Sequence, residues 1–354
     1  MTLSFTYRLR VLIIQFFVDV IWYLDLLGSI TLDTSLQILK LFALSTISFS
    51  FVVFIIYSYF TGYLYRVADG VFYSVNPALN ESKNLNPSVL GIQADVFLKG
   101  PIRVDKLDTP AVSAKSALIV DKGSSKILYE LNSSAKFAPA STTKLMTALV
   151  ALGLYKMDEV LKVSQDCASI DSTKVWLPVG SEFKVKDLMF SLLIASAGDS
   201  ACVLSIGKVS YDDFVSLMNA KAKEFGMKDT FFTNPIGLDS VDGGHSSNVK
   251  DLYKLSVVAM QNPTIQDIVK TKSYALSSVD SGFKVNVSNT NKLLWNVPET
   301  IGVKTGTTKG AGEVLIYEYK KDVKDLVIIV MGSHDRFSDT KALLDWTLAS
   351  YSWD

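Results

Sequence analysis

The chain has 354 residues, 49% of them hydrophobic, with 35 basic and 35 acidic side chains and therefore no net charge. That balance speaks against recognition of nucleic acid through a basic surface. Only two histidines are present, too few and too unaccompanied for an ordinary zinc hydrolase site, so no metal and no other cofactor is expected.

The apolar excess lies at the front. VLIIQFFVDVIWYLDLLG, residues 11–28, is interrupted by Asp19 and Asp25, each costing ~2.5–3.5 kcal/mol near a bilayer centre, and is expected to lie along the membrane interface. LFALSTISFSFVVFIIYSYF, residues 41–60, carries no charge and has the length that crosses roughly 30 Å of hydrocarbon. Tyrosines follow it where a secretory signal would place a small-residue cleavage site, so an uncleaved transmembrane helix is expected. Arg8, Arg10 and Lys40 precede the span and only Arg66 follows closely. The bias places the N-terminus in the cytoplasm and everything after residue 66 outside the cell membrane.

Residues 1–66 thus form a membrane segment, residues 67–112, rich in Asn, Pro and Ser, a linker, and residues 113–354 a domain large enough for two lobes. SALIVDKGSSKILYEL reads as a strand hairpin. A helix is expected from Ser141, another over VGSEFKVKDLMFSLLIAS ending near Ser196, and further helices over DDFVSLMNAKAKEFG and NVKDLYKLSVVAMQ. Strands follow at IGVKTGT, GEVLIYEY and KDLVIIVMG, and DTKALLDWTLAS closes as a helix. The expected class is α/β, an antiparallel sheet flanked by terminal helices with a helical lobe inserted.

Chemistry enters at FAPASTTKLMTALV. Ser141 and Lys144, three residues apart on a helix, share a face. Apolar surroundings penalise a charged lysine, so Lys144 can become a neutral amine able to take the serine proton, with no histidine required. The competing reading is a helix start with Lys144 snorkelling to solvent. In IGVKTGT, a cation and hydroxyls at Lys304, Thr305 and Thr307 flank Gly306, forming a carboxylate-binding rail that a substrate backbone could approach closely. In IASAGDSA, Ser196 ends an apolar helix, and Asp199 is most simply a helix cap.

Ser-x-x-Lys, a serine-containing turn and Lys-Thr-Gly follow in the order of penicillin-binding proteins and β-lactamases. With LPVGSEFKVKDLMFSLLIAS, FVSLMNAKAKEFGMKDTFFTNPIGLDS, GHSSNVKDL and NTNKLL, the chain from about Ser113 resembles the serine D-alanyl-D-alanine carboxypeptidases, the low-molecular-mass penicillin-binding proteins. The resemblance implies the penicillin-binding-protein/β-lactamase-like transpeptidase fold. It also implies a peptidoglycan stem peptide as substrate and β-lactam antibiotics as covalent inhibitors. Ser141 would be the nucleophile and Lys144 its base. Ser196 would relay a proton to the leaving amine, Lys304, Thr305 and Thr307 would hold the terminal carboxylate, and the backbone N–H groups of Ser141 and Thr307 would form the oxyanion hole.

One departure stands out, because the family's middle motif is Ser-x-Asn and here Gly198 takes the third place. Either another side chain supplies the missing contact or activity is weakened, and a silent wall-peptide-binding module is the third alternative beside a D,D-endopeptidase and a β-lactamase. The β-lactamase reading lacks a Glu-x-x-Leu-Asn stretch after the middle motif. Cys167 and Cys202 read as two small buried hydrophobes, with one bridge permitted outside the cytoplasm. His245 is expected to be structural; Arg336, after a strand end near the presumed site, could help hold a carboxylate but is expected in a surface ion pair, and Trp176 and Trp295 could line the cleft but are expected to pack in core or loops.

Overall fold

The computed structural model describes residues 100–104 and 107–353. The interfacial segment 11–28, the span 41–60 and most of the linker lie outside the described residues. Among the described residues, no helix is long and apolar enough to cross a membrane.

Five strands form the central sheet. β2 (Ser116–Asp121) and β3 (Lys126–Leu131) are the expected hairpin, and β8 (Thr300–Thr308), β9 (Gly312–Lys321) and β10 (Lys324–Ser333) the late strands. Their order is β3-β2-β10-β9-β8, and every neighbouring pair is antiparallel. The run SALIVD is buried at all six positions because the sheet is covered on both faces. Leu118, Val120, Ile316 and Ile329 turn to one face, against the larger helical core; Ala117, Ile119, Tyr317 and Ile328 turn to the other, where Leu343, Leu344 and Trp346 of the last helix, α9 (Arg336–Ser350), cover them. Each such aliphatic side chain contributes roughly 1.5–3 kcal/mol by leaving water.

The helical lobe lies in sequence between β3 and β8. Its elements are α1 (Lys144–Leu154), α2 (Gln165–Ser169), α3 (Val185–Ile194), α4 (Gly198–Ile206), α5 (Tyr211–Glu224), α6 (Val249–Ala259) and α7 (Pro263–Val269), with the small strand pair β4 (Val160–Lys162) and β5 (Glu182–Lys184). A second hairpin, β6 (Ser273–Ser277) with β7 (Lys284–Ser288), and the single turn α8 (Leu293–Asn296) lead into β8. Ser210, Asn248 and Asp335 cap α5, α6 and α9, accepting from backbone N–H groups that have no partner within the helix.

Several expectations are corrected. The stretch read as one helix from VGSEF onward begins as strand β5, since Glu182–Lys184 is drawn into pairing with Val160–Lys162. The helix expected from Ser141 starts as a 3₁₀ turn, Ala140–Thr143, before α1. Residues 100–112, expected as the end of the linker, are in part tied to the domain: β1 (Ile102–Arg103) pairs with β11 (Tyr351–Ser352), and the Val104 N–H donates to Ser350 O at 2.8 Å. Cys167 and Cys202 are not free thiols in the core; they form a disulfide joining α2 to α4.

Candidate active site

The 3₁₀ turn leaves Ser141 half-exposed at the mouth of a buried helix start, while Thr142, Thr143 and Lys144 are fully buried. Lys144 is therefore not a snorkelling surface lysine. Its Nζ lies 2.9 Å from Ser141 Oγ and donates to Ile236 O at 2.6 Å. Burial among Leu145, Met146 and their neighbours lowers its pKa from the ordinary lysine value of 10.5 to about 7, opposed only by the charge of Asp199.

The carbonyl that holds Lys144 belongs to a loop 92 residues away, and Asn234 shapes that loop by accepting from the N–H groups of Ile236, Gly237 and Leu238. Gly237 adopts φ +87°, and a Cβ there would overlap Ala140 O at 2.0 Å, so only glycine lets the loop press on the serine turn. Thr147 Oγ1 donates to Pro235 O at 2.6 Å and fastens the same loop to α1. At its far end Asp239 accepts from Thr308 Oγ1 and the Gly310 N–H, which ties it to the turn after β8.

Strand β8 closes the other side. Lys304 is as buried as Lys144, and its Nζ donates to Ser196 Oγ and to Thr305 O, both at 2.9 Å. Burial, then the nearby charges of Lys144 and Arg336, hold its pKa well below the ordinary lysine range. Thr305 Oγ1 and Thr290 Oγ1 share a 2.6 Å hydrogen bond. The missing side chain of Gly306 makes room for the protein itself, because a Cβ would sit 2.9 Å from both Ala140 Cβ and the Ser141 N. The strand and the serine turn are thereby in direct contact, which puts the Ser141 N–H beside β8.

Ser196 stands in the left-handed region at φ +61°, between α3 and α4, as does Ala140 at φ +49° beside the serine. Such conformations cost on the order of 1–3 kcal/mol, held here by the packing around them. The predicted positions are brought together: Lys144 meets Ser141, Lys304 meets Ser196, Gly306 abuts the Ser141 N, and the charge of Lys144 acts on Lys304.

Other readings change. Asp199 is not the N-cap of α4, which is Ala197 and makes no side-chain bond, although its carboxylate accepts from the Ser200 N–H of the same first turn at 2.9 Å. Its carboxylate is buried within the first turn and accepts from the N–H groups of Val175 and Leu177, at 3.2 and 3.1 Å, fixing the chain that crosses in front of α4. Arg336 is not a plain surface pair: besides lying 3.7 Å from Glu313, its Nη1 donates to Thr307 Oγ1 at 2.6 Å and to Gly306 O. Trp176 and Trp295 are 72% and 48% exposed, so neither is core; Lys174 Nζ sits 4.4 Å from the Trp176 ring centre. His245 is buried, as its structural reading requires. Nδ1 accepts from the Thr233 N–H at 3.0 Å and Nε2 faces Thr143 Oγ1 at 2.9 Å, while burial lowers its pKa to about 4.

Sequence reasoning overlooked Ile236 O, Asn234 and the bond from Arg336 to Thr307. The NPIG segment carried the only hint, since an Asn-Pro followed by Gly marks a shaped turn without saying what it faces.

The family model for D-alanyl-D-alanine carboxypeptidase, peptidase S11, matches residues 103–335. The chain belongs to this family. A relative in Bacillus subtilis, D-alanyl-D-alanine carboxypeptidase DacF, is 32% identical over 251 residues, 68% of this chain, and the chain spans 64% of that relative's own length. The D-alanyl-D-alanine endopeptidase of Escherichia coli is 32% identical over 67% of this chain and 78% of its own. Among solved structures, the Streptomyces K15 DD-transpeptidase superposes with a TM-score of 0.65 at 27% identity, covering 69% of this chain and all of that one. The S11 membership and this likeness establish the penicillin-binding-protein-like fold.

Proposed function

We infer that the protein is a serine-type D-Ala-D-Ala carboxypeptidase that removes the terminal D-alanine from peptidoglycan stem peptides. The observation that carries this is a buried amine 2.9 Å from the Ser141 hydroxyl, in a site walled by Lys304 and β8. A neutral Lys144 presents its lone pair to the hydroxyl and accepts its proton as Oγ attacks the carbonyl between the two D-alanines. The N–H groups of Ser141 and Thr307 receive the charge that develops on the carbonyl oxygen, a contribution of ~3–4 kcal/mol per donor in such sites.

Thr305, Thr307 and Lys304 hold the terminal carboxylate, with Gly306 keeping β8 against the serine turn. Arg336, bonded to the Thr307 hydroxyl, adds a cation at the same edge. Ser196, bonded to Lys304, relays a proton to the departing D-alanine amine. Having passed its first proton through Ser196 to the departing amine, Lys144 takes a proton from the water that attacks the acyl carbonyl and hands it to Ser141 Oγ as the acyl group leaves. β-Lactams enter the same step and remain on Ser141. Residues 41–60 anchor the domain to the cell membrane, with the N-terminus cytoplasmic and the site outside.

The test is release of D-alanine from a pentapeptide ending in D-Ala-D-Ala by the purified full chain. Release that disappears in Ser141→Ala supports the assignment; binding of the peptide with no release would favour a silent wall-peptide-binding module. A second substrate is favoured by the likeness to the Escherichia coli endopeptidase. Cleavage of cross-linked muropeptide dimers at a rate matching pentapeptide trimming would make this a D,D-endopeptidase using the same residues.

A further inference from the structure

The middle motif ends in Gly198, and the space beside it is not empty. A Cβ built on Gly198 would lie 2.5 Å from Ser172 Oγ, 2.7 Å from Ser172 Cβ and 3.2 Å from Thr173 O. The direction a side chain two residues past Ser196 would take is already filled by a serine from a different part of the chain. Ser172 is half-buried, and its hydroxyl has no hydrogen-bond partner among the described residues. It keeps its full capacity to donate and to accept.

Ser172 is also held firmly where it stands. The Gly198 N–H donates to Thr173 O at 2.7 Å. Three and five residues further on, the N–H groups of Val175 and Leu177 end on the Asp199 carboxylate. On the other side, the Cys167–Cys202 disulfide binds α2 to α4. Every one of these anchors is on α4, at 198, 199 or 202, so the segment 167–177 and the start of α4 form a single unit. That unit borders the reacting groups: Ser196 Oγ, two residues before Gly198, accepts from Lys304, and the charge of Asp199, one residue after it, acts on Lys144.

We propose that Ser172 is a substrate-contacting residue of this site, its hydroxyl reaching from the loop before β5 to hydrogen-bond the backbone amide of the peptide on the acyl side of the scissile bond. The assignment rests on the D,D-peptidase reading of the cleft. The polar group that the motif usually carries on α4 has moved to the neighbouring loop, and glycine at 198 is what admits it. Either arrangement supplies one polar contact from this wall, but the two cannot coexist, because a side chain at 198 and the Ser172 hydroxyl would claim the same volume.

The proposal is tested by a swap in the full chain, with kcat/KM for a D-Ala-D-Ala pentapeptide, the rate of penicillin acylation and Tm measured on each variant. Ser172→Ala is expected to lower kcat/KM at least about tenfold while Tm stays at the parent value, the size expected when a substrate amide loses its partner. Gly198→Asn alone is expected to lose activity through the clash with Ser172. The double variant Ser172→Gly/Gly198→Asn, in which the amide returns to α4, is expected to exceed Ser172→Gly alone in kcat/KM, a gain that relief of the clash by itself would not give. Ser172→Ala with parental kcat/KM, or a double variant no better than Ser172→Gly alone, overturns the proposal and leaves the peptidase reading intact. A parent chain that neither releases D-alanine nor is acylated by penicillin overturns both.

Discussion

The pH dependence of Ser141 acylation follows directly from where Lys144 sits. Burial brings its pKa from 10.5 to about 7, which corresponds to about 5 kcal/mol of bias toward the neutral amine. At pH 6 about one amine in eleven is then neutral and at pH 8 about ten in eleven, so the acylation rate should rise about tenfold between these values and flatten above pH 8. A lysine with its ordinary pKa would give about a hundredfold rise over the same interval and no plateau. The assay is the rate of penicillin acylation of the full chain, followed between pH 5.5 and 9.5. A rate that keeps climbing about tenfold per pH unit beyond pH 8 would refute the neutral-amine argument. Stability carries the same signature. The folded pKa lies below the unfolded one, so the lysine imposes no cost above about pH 10.5; the cost grows as pH falls and is complete below about 7. Lys304, shifted in the same direction by burial, adds to the loss on acidification.

Three further outcomes are expected. Lys144→Met should abolish acylation yet raise stability at pH 6 by about 2 kcal/mol or more in denaturant unfolding, because the relief of a buried charge exceeds the loss of the bond to Ile236 O; a destabilised variant would contradict the cost assigned to that charge. Gly306→Ala should slow acylation at least about a hundredfold, since its methyl meets Ala140 and the Ser141 N at 2.9 Å and pushes β8 from the serine turn; a parental rate would show that the contact is dispensable. Removing the disulfide by Cys167→Ala/Cys202→Ala, which opens a 35-residue separation, should cost about 3–4 kcal/mol of unfolding free energy, and a change below about 1 kcal/mol would show that the other anchors on α4 suffice.

The sheet was legible in the sequence because β2, β9 and β10 are buried on both faces and so are written as unbroken apolar runs. The serine and lysine were legible because a helical turn brings residues three apart together whatever surrounds them. The remainder depended on long-range contacts that local pattern cannot report. The carbonyl of Ile236 reaches Lys144 across 92 residues, Arg336 reaches Thr307 across 29, and Asp199 serves N–H groups at 175 and 177 besides that of Ser200 in its own helix. Gly306 illustrates the difference: the lack of a side chain was readable, but the backbone it admits belongs to residues 139–141 and was not. Strand β1 was missed because two residues paired with two others carry no periodicity.

The central claim is that Ser141 becomes acylated by virtue of a neutral Lys144 at its side. Intact-mass analysis of the full chain after exposure to benzylpenicillin, followed by peptide mapping, tests it most directly. A single covalent adduct is expected on the peptide containing Ser141, absent in Ser141→Ala and in Lys144→Met. An adduct on another residue, or one that persists in Ser141→Ala, would contradict it.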